Sequence, residues 1–124
     1  MRPGQLEPNE FEVAILDHLA QDVSAIVPLI VKLHVLSREF TGVGSYTNFD
    51  CPESAAVLGN QAIGLNALIS MPNVPSGMGA VLFCEEGKPK CLETYTFGEE
   101  PWDGIFEGFS IKKPNNKRVD SDAP

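Results

Sequence analysis

Imidazole and thiol chemistry rests on few residues in this chain: two histidines, His18 and His34, and three cysteines, Cys51, Cys84 and Cys91. A Cys51–His34 nucleophile–base pair is conceivable, as it would be in any chain with three cysteines and two histidines. The spacings that mark a serine-hydrolase elbow, a zinc-protease helix, a phosphate-cradling loop or a dinucleotide fold are all missing from the sequence. The most distinctive string is Arg38-Glu39-Phe40-Thr41-Gly42-Val43-Gly44. Adjacent residues of a strand point to opposite faces, so Arg38 and Glu39 cannot pair with each other. Each then meets an opposite charge on a neighbouring strand, and Glu93 is the candidate partner for Arg38. One reading is a structural ion pair that holds sheet register. The other is a polar pocket, with Arg38, Glu39, Thr41 and Glu93 around it, that binds a small anionic or polar ligand. Gly42 and Gly44 would then expose backbone amides to an anion.

The charge balance limits the partners. Net charge is −8, and residues 1–111 carry 5 basic against 15 acidic groups. Only the stretch 112–124 is basic, through Lys112, Lys113, Lys117 and Arg118. An acidic body without a Lys/Arg cluster repels phosphate backbones, which argues against nucleic acid as a partner. A basic partner is electrostatically permitted, and the plainer reading is that the excess acid simply keeps a small domain soluble. No apolar run reaches membrane-spanning length and no secretory h-region is visible at the N-terminus, so no membrane association is expected and the compartment is read as the cytoplasm. An odd cysteine count without CxxC spacing reads as free thiols, with no cofactor or metal expected. Cys84 and Cys91 could still meet across a hairpin as a redox pair or half a metal site.

The elements that must position these groups follow from periodicity. Residues 1–8 read as a flexible leader. Asn9 with Glu12 forms a capping-box signature before a helix over 10–21, whose Phe11, Ile15, Leu16 and Leu19 recur at helical spacing. His18 falls on the apolar side of that helix, as a boundary residue. Residues 24–33 read as a second helix with Pro28 in its first turn, a strand being the competing reading. From His34 the period becomes two, with Val35, Ser37, Glu39 and Thr41 alternating with Leu36, Arg38 and Phe40. Gly42–Gly44 marks a bulge or bend, and 45–49 resumes as strand. Residues 55–64 read mostly as loop. Further strands are expected at 65–71, at 79–84 (apolar throughout, as a strand covered on both sides would be), at 90–97 after a Glu86-Gly87 turn, and at 105–111. Residues 113–124 read as a disordered tail.

In its Arg-Glu-x-Thr-Gly-Val-Gly string (Arg38, Glu39, Thr41, Gly42, Val43, Gly44), its Thr47 and Phe49, and its later Leu92, Glu93 and Tyr95, the chain resembles a family of small uncharacterised bacterial proteins. The likeness spans roughly residues 10–100 and departs at Ser45, where a larger apolar residue is expected. It implies an α+β domain and no assigned activity, so it transfers no catalytic residue.

These readings converge on one α+β domain over 9–112. Its two N-terminal helices pack on one face of a mainly antiparallel sheet of four to five strands. The expected function is non-enzymatic binding. The alternatives are an immunity-like inhibitor of a basic protein, or a small enzyme with a carboxylate–arginine pocket. Open sheet edges also favour a homodimer.

Overall fold

A computed structural model describes residues 6–64 and 67–112. The first helix, α1 (Glu10–Ala20), starts where its capping box requires. Asn9 Oδ1 accepts from the Glu12 amide and Glu12 Oε1 accepts from the Asn9 amide, both at 2.8 Å. A 3-10 turn at Ser24–Ile26 leads into the short α2 (Val27–Ile30), with Pro28 at its start, where the missing amide costs no helical bond. The helical reading of this stretch therefore holds over 24–30.

Seven strands follow: β1 (His34–Phe40), β2 (Gly44–Asp50), β3 (Gln61–Ile63), β4 (Leu68–Met71), β5 (Val74–Glu85), β6 (Lys88–Thr96) and β7 (Ser110–Lys112). All pairings are antiparallel, in the order β1-β2-β6-β5-β4-β7. The long β5 shares one edge between β4 and, further along, β3. The fold is α+β as expected. The described residues form seven strands against the four to five expected: six fall on stretches with strand patterning, β3 emerges from a stretch too small and weakly patterned to read, and a 3-10 turn at Ala56–Leu58 puts a helical element mid-chain. Within the described residues the C-terminal strand spans Ser110–Lys112, and the expected tail lies outside them. The end of the expected leader is engaged: Leu6 forms an antiparallel bridge to Val35, whose amide donates to the Leu6 carbonyl at 2.7 Å.

One buried cluster joins α1 (Phe11, Ile15, Leu16, Leu19) to one face of the sheet (Val35, Phe49, Met78, Ala80, Leu82, Leu92). The opposite face is not equally covered. Along β5, buried Leu82 is followed by Phe83, 41% exposed, so this strand alternates and is not enclosed on both sides as its apolar sequence suggests. The Glu86-Gly87 turn has positive φ at both residues, 53° and 79°, the geometry whose twist suits a two-residue hairpin. Among the described residues, no helix is long and apolar enough to cross a membrane.

Candidate functional site

The position of Arg38 depends on a bulge. Val35 pairs with Phe49 and Ser37 with Asn48, so Leu36 is skipped and left outside the ladder, 63% exposed. A regular strand would turn Val35 and Arg38 to opposite faces. The bulge brings both to the core face, where Arg38 lies opposite buried Thr47.

There Arg38 meets α1, not β6. Its Nε donates to Glu12 Oε2 at 2.7 Å and its Nη2 to Glu12 Oε1 at 2.8 Å, a bidentate pair. Nη2 also donates to the Glu7 carbonyl at 3.2 Å. Thr47 Oγ1 donates to Glu12 Oε2 at 2.8 Å. With the Asn9 amide on Oε1, each carboxylate oxygen receives two donors. A carboxylate has about four lone-pair sites, so Glu12 has none left for a substrate. Its hydrogen bonds and charge hold the Arg38 pKa above its ordinary value against partial desolvation. The expected Arg38–Glu93 pairing is thus replaced by Arg38–Glu12. Glu93 pairs in register with Tyr46 and faces the other side of the sheet, as Glu39 does.

The pocket expected around Arg38, Glu39 and Glu93 therefore does not assemble. Beside the Arg38 clasp, a cleft lined by Ser45, Thr94, Phe40, Trp102 and Phe106 has a cavity volume of about 30 Å³. A small-molecule site usually needs about 300–1,000 Å³, whereas a water needs about 10–15 Å³. The cleft is on the scale of water. Its floor is the Ser45–Thr94 hydroxyl pair at 2.6 Å, and its aromatic wall is closed by Phe40 against Trp102, with ring centroids 5.9 Å apart.

The glycine string is a hairpin turn. Gly42 has φ 95°, which favours glycine, and the Thr41 amide donates to the Gly44 carbonyl at 3.1 Å. Thr41 Oγ1 accepts from the Val43 amide at 3.3 Å. The carbonyls of Gly42 and Val43 accept from the amides of Trp102 and Thr96. The amides of Thr41 and Val43 are therefore already engaged by the turn. Gly44 answers a different need: a Cβ there would lie 2.0 Å from the Thr94 carbonyl oxygen. Gly42 also borders a shallow groove of about 390 Å³ whose one ionisable wall is Asp103.

Comparison with family models, with curated proteins and with solved structures finds no match to this chain. The site is read from its own geometry.

The thiols do not form a centre. Cys91 lies opposite exposed Phe83, while the bulge at Lys90 sets Cys84 opposite Pro89. Cys84 adjoins Phe83 in sequence and is buried, so the two thiols occupy opposite faces and the redox-pair reading fails. Burial pushes the Cys84 thiol up to about 11. Burial, then the charges of Glu93 and Glu39, also raise Cys91. The Cys51 thiol donates to the Glu53 carbonyl at 3.1 Å, so the structure gives no support to a Cys51–His34 pair. Among the described residues, no three His, Cys, Asp or Glu side chains gather as a metal would require.

Glu39, Tyr46 and Glu93 do come together, in register across β1, β2 and β6 on the uncovered face. Glu93 raises the Tyr46 phenol above its ordinary value, through its charge first and a hydrogen bond second, with Glu39 adding to the effect. Sequence reasoning missed Glu12 and Thr47. Glu12 was visible only as a capping residue, and no local pattern reveals that its free lone pairs reach a strand 26 residues away.

Proposed function

We propose that the chain is a non-catalytic binding protein whose partner is a basic protein. The observation that supports this most is the division of its charge. The Glu12–Arg38 ion pair is closed on itself, with Glu12 at full hydrogen-bonding capacity. Glu39 and Glu93 stand apart from it, on a body with 15 acidic and 5 basic groups over residues 1–111. A saturated carboxylate cannot exchange a proton in a reaction without first breaking the fold's own bonds. Outward carboxylates in excess steer a cationic partner and set the salt dependence of its binding. No matched family lends it an activity, so this reading rests on the site.

The full chain, immobilised and exposed to extract of its native cell, should retain basic proteins at low salt and release them as salt is raised. Retention that ignores salt would overturn the reading. So would a catalytic turnover that disappears in Glu39→Gln.

A further inference from the structure

We infer that the partner docks on the uncovered face of the sheet, seating an arginine side chain over Tyr46 between Glu39 and Glu93. This rests on the reading of a basic partner and assigns it a surface and a chemistry.

The face is built in rows. Glu39, Tyr46, Glu93 and Val81 lie side by side across β1, β2, β6 and β5. The next row is Ser37, Asn48, Cys91 and Phe83. On the other side, Tyr95 lies between Gly44 and Gly79. A Cβ on Gly79 would stand 2.7 Å from the Tyr95 hydroxyl, so the Tyr95 ring lies over that glycine. Phe97 meets Tyr95 edge to face, with centroids 5.8 Å apart. The result is an apolar shelf beside the acidic row. Tyr46, Phe83 and Phe97 are 36%, 41% and 46% exposed, although sheet faces normally bury such side chains against another layer.

Charge decides the occupant. None of the positions in these rows is a lysine or arginine. Of the basic residues adjoining them in sequence, Arg38 turns to the other face against Glu12 and Lys90 falls in the bulge at one end. Strands lie about 4.8 Å apart, so the two glutamates flank Tyr46 at about 10 Å from each other. That spacing suits a planar guanidinium stacked on the phenol ring, with a carboxylate on either side. A second copy of this chain would set Glu39 and Glu93 against acidic counterparts, and like charges across an interface are unfavourable. The expectation of a homodimer is therefore not met by this face. A partner with arginine set among apolar residues satisfies both the row and the shelf.

The test uses ¹⁵N-labelled full-length protein and two soluble probes, a peptide alternating arginine with leucine and one alternating glutamate with leucine. The arginine peptide should shift the amide signals of Glu39, Tyr46, Glu93, Val81 and Phe83 and leave those of α1 in place. The glutamate peptide should shift none. Affinity for the arginine peptide should fall at least tenfold in Glu39→Gln/Glu93→Gln, and severalfold in Phe83→Thr. It should hold in Glu10→Gln/Glu107→Gln, which removes the same charge elsewhere. Salt-sensitive binding that maps to other acidic surface, or an equal loss in the control variant, overturns this surface and leaves the basic-partner reading standing. No binding of the arginine peptide at any salt, together with no salt-released protein from extract, overturns both. Face signals that depend on protein concentration without peptide would assign the face to a second copy. Face signals that move in Lys117→Gln/Arg118→Gln would assign it to the chain's own basic stretch. Either result overturns the proposal.

Discussion

Arg38 and Glu39 are neighbours in sequence and opposites in circumstance. Arg38 turns toward α1 and is consumed by a carboxylate whose side chain is 6% exposed. Glu39 turns to the uncovered face, where register sets it beside Tyr46. The same two charges, placed in water, would contribute about equally little. The difference lies in what each loses when its partner goes. On the core face a missing partner strands a charge in a poorly solvated place, while on the open face water replaces it. The clasp is therefore read as structure and the open row as surface for binding, and each reading can be broken separately.

The largest effect should come from Arg38→Ala. It leaves Glu12 buried with two donors where there were four, and a buried pair broken on one side costs about 3–5 kcal/mol. Glu39→Ala, one residue away, should stay within about 0.5 kcal/mol. Urea unfolding of both variants measures the contrast, and equal losses would remove it. Arg38→Lys comes next. A lysine keeps the charge but cannot reproduce the side-on fork through Nε and Nη2, so about 1.5–3 kcal/mol should go with one charge-assisted bond.

Deleting Leu36 tests how the dipeptide comes to be oriented. In a regular strand, losing one residue reverses the facing of everything beyond it. Here the deleted residue is the one the ladder already skips. Without it, Val35 and Arg38 are two positions apart and still share the core face. The deletion should cost about 1 kcal/mol, less than either Arg38 variant, with the Arg38–Glu12 pairing retained. A loss as large as that of Arg38→Ala would show that the bulge is needed for more than register.

That bulge also marks where the sequence stops being readable. The capping box, the helix from Glu10, the strand from His34 and the Glu86-Gly87 hairpin are local patterns, and each appears where composition and spacing put it. Alternation through 34–41 is legible too, but a skipped residue leaves no mark in it. The facing of Arg38 relative to Val35 was hidden for that reason. β3 was missed because three residues in a small, mixed segment form a strand only by pairing with β5. The partner of Arg38 was missed because Glu12 and Arg38 meet through tertiary packing. The row that joins Tyr46 to Glu93 needs only the β2–β6 pairing and its register, neither of which a single stretch of sequence carries.

Cys84 offers a smaller effect on the core side of β5. Burial lifts its thiol from 9.0 to about 11. The unfolded chain then loses that proton first as pH rises. Stability from the neutral thiol is complete below about 9 and declines as pH climbs toward about 11. Urea midpoints across that range should fall more steeply in the native sequence than in Cys84→Ala, whose slope lacks this contribution. Identical slopes would mean that the thiol is not shielded.

The smallest effect belongs to the open row and bears on its electrostatics without any partner. Tyr46 is raised above its ordinary 10.0 chiefly by the charge of Glu93. Phenolate formation beside a carboxylate is opposed by like charge, and removing that charge removes the opposition. Glu93→Gln should therefore lower the Tyr46 midpoint toward 10.0 in an ultraviolet titration, with Tyr46→Phe identifying which transition is its own. Glu39→Gln should act in the same direction and more weakly, since Glu39 contributes less than Glu93. Added salt should shrink both differences, because charges on a water-facing sheet are screened over about 8–10 Å. An Arg38→Gln variant, which removes that charge, should leave the Tyr46 midpoint unmoved, because in the native sequence the charge is held against Glu12 on the other side of the sheet. A Tyr46 midpoint that follows Arg38 instead of Glu93 would mean that the two faces are electrostatically one, and the contrast between clasp and open row would fail.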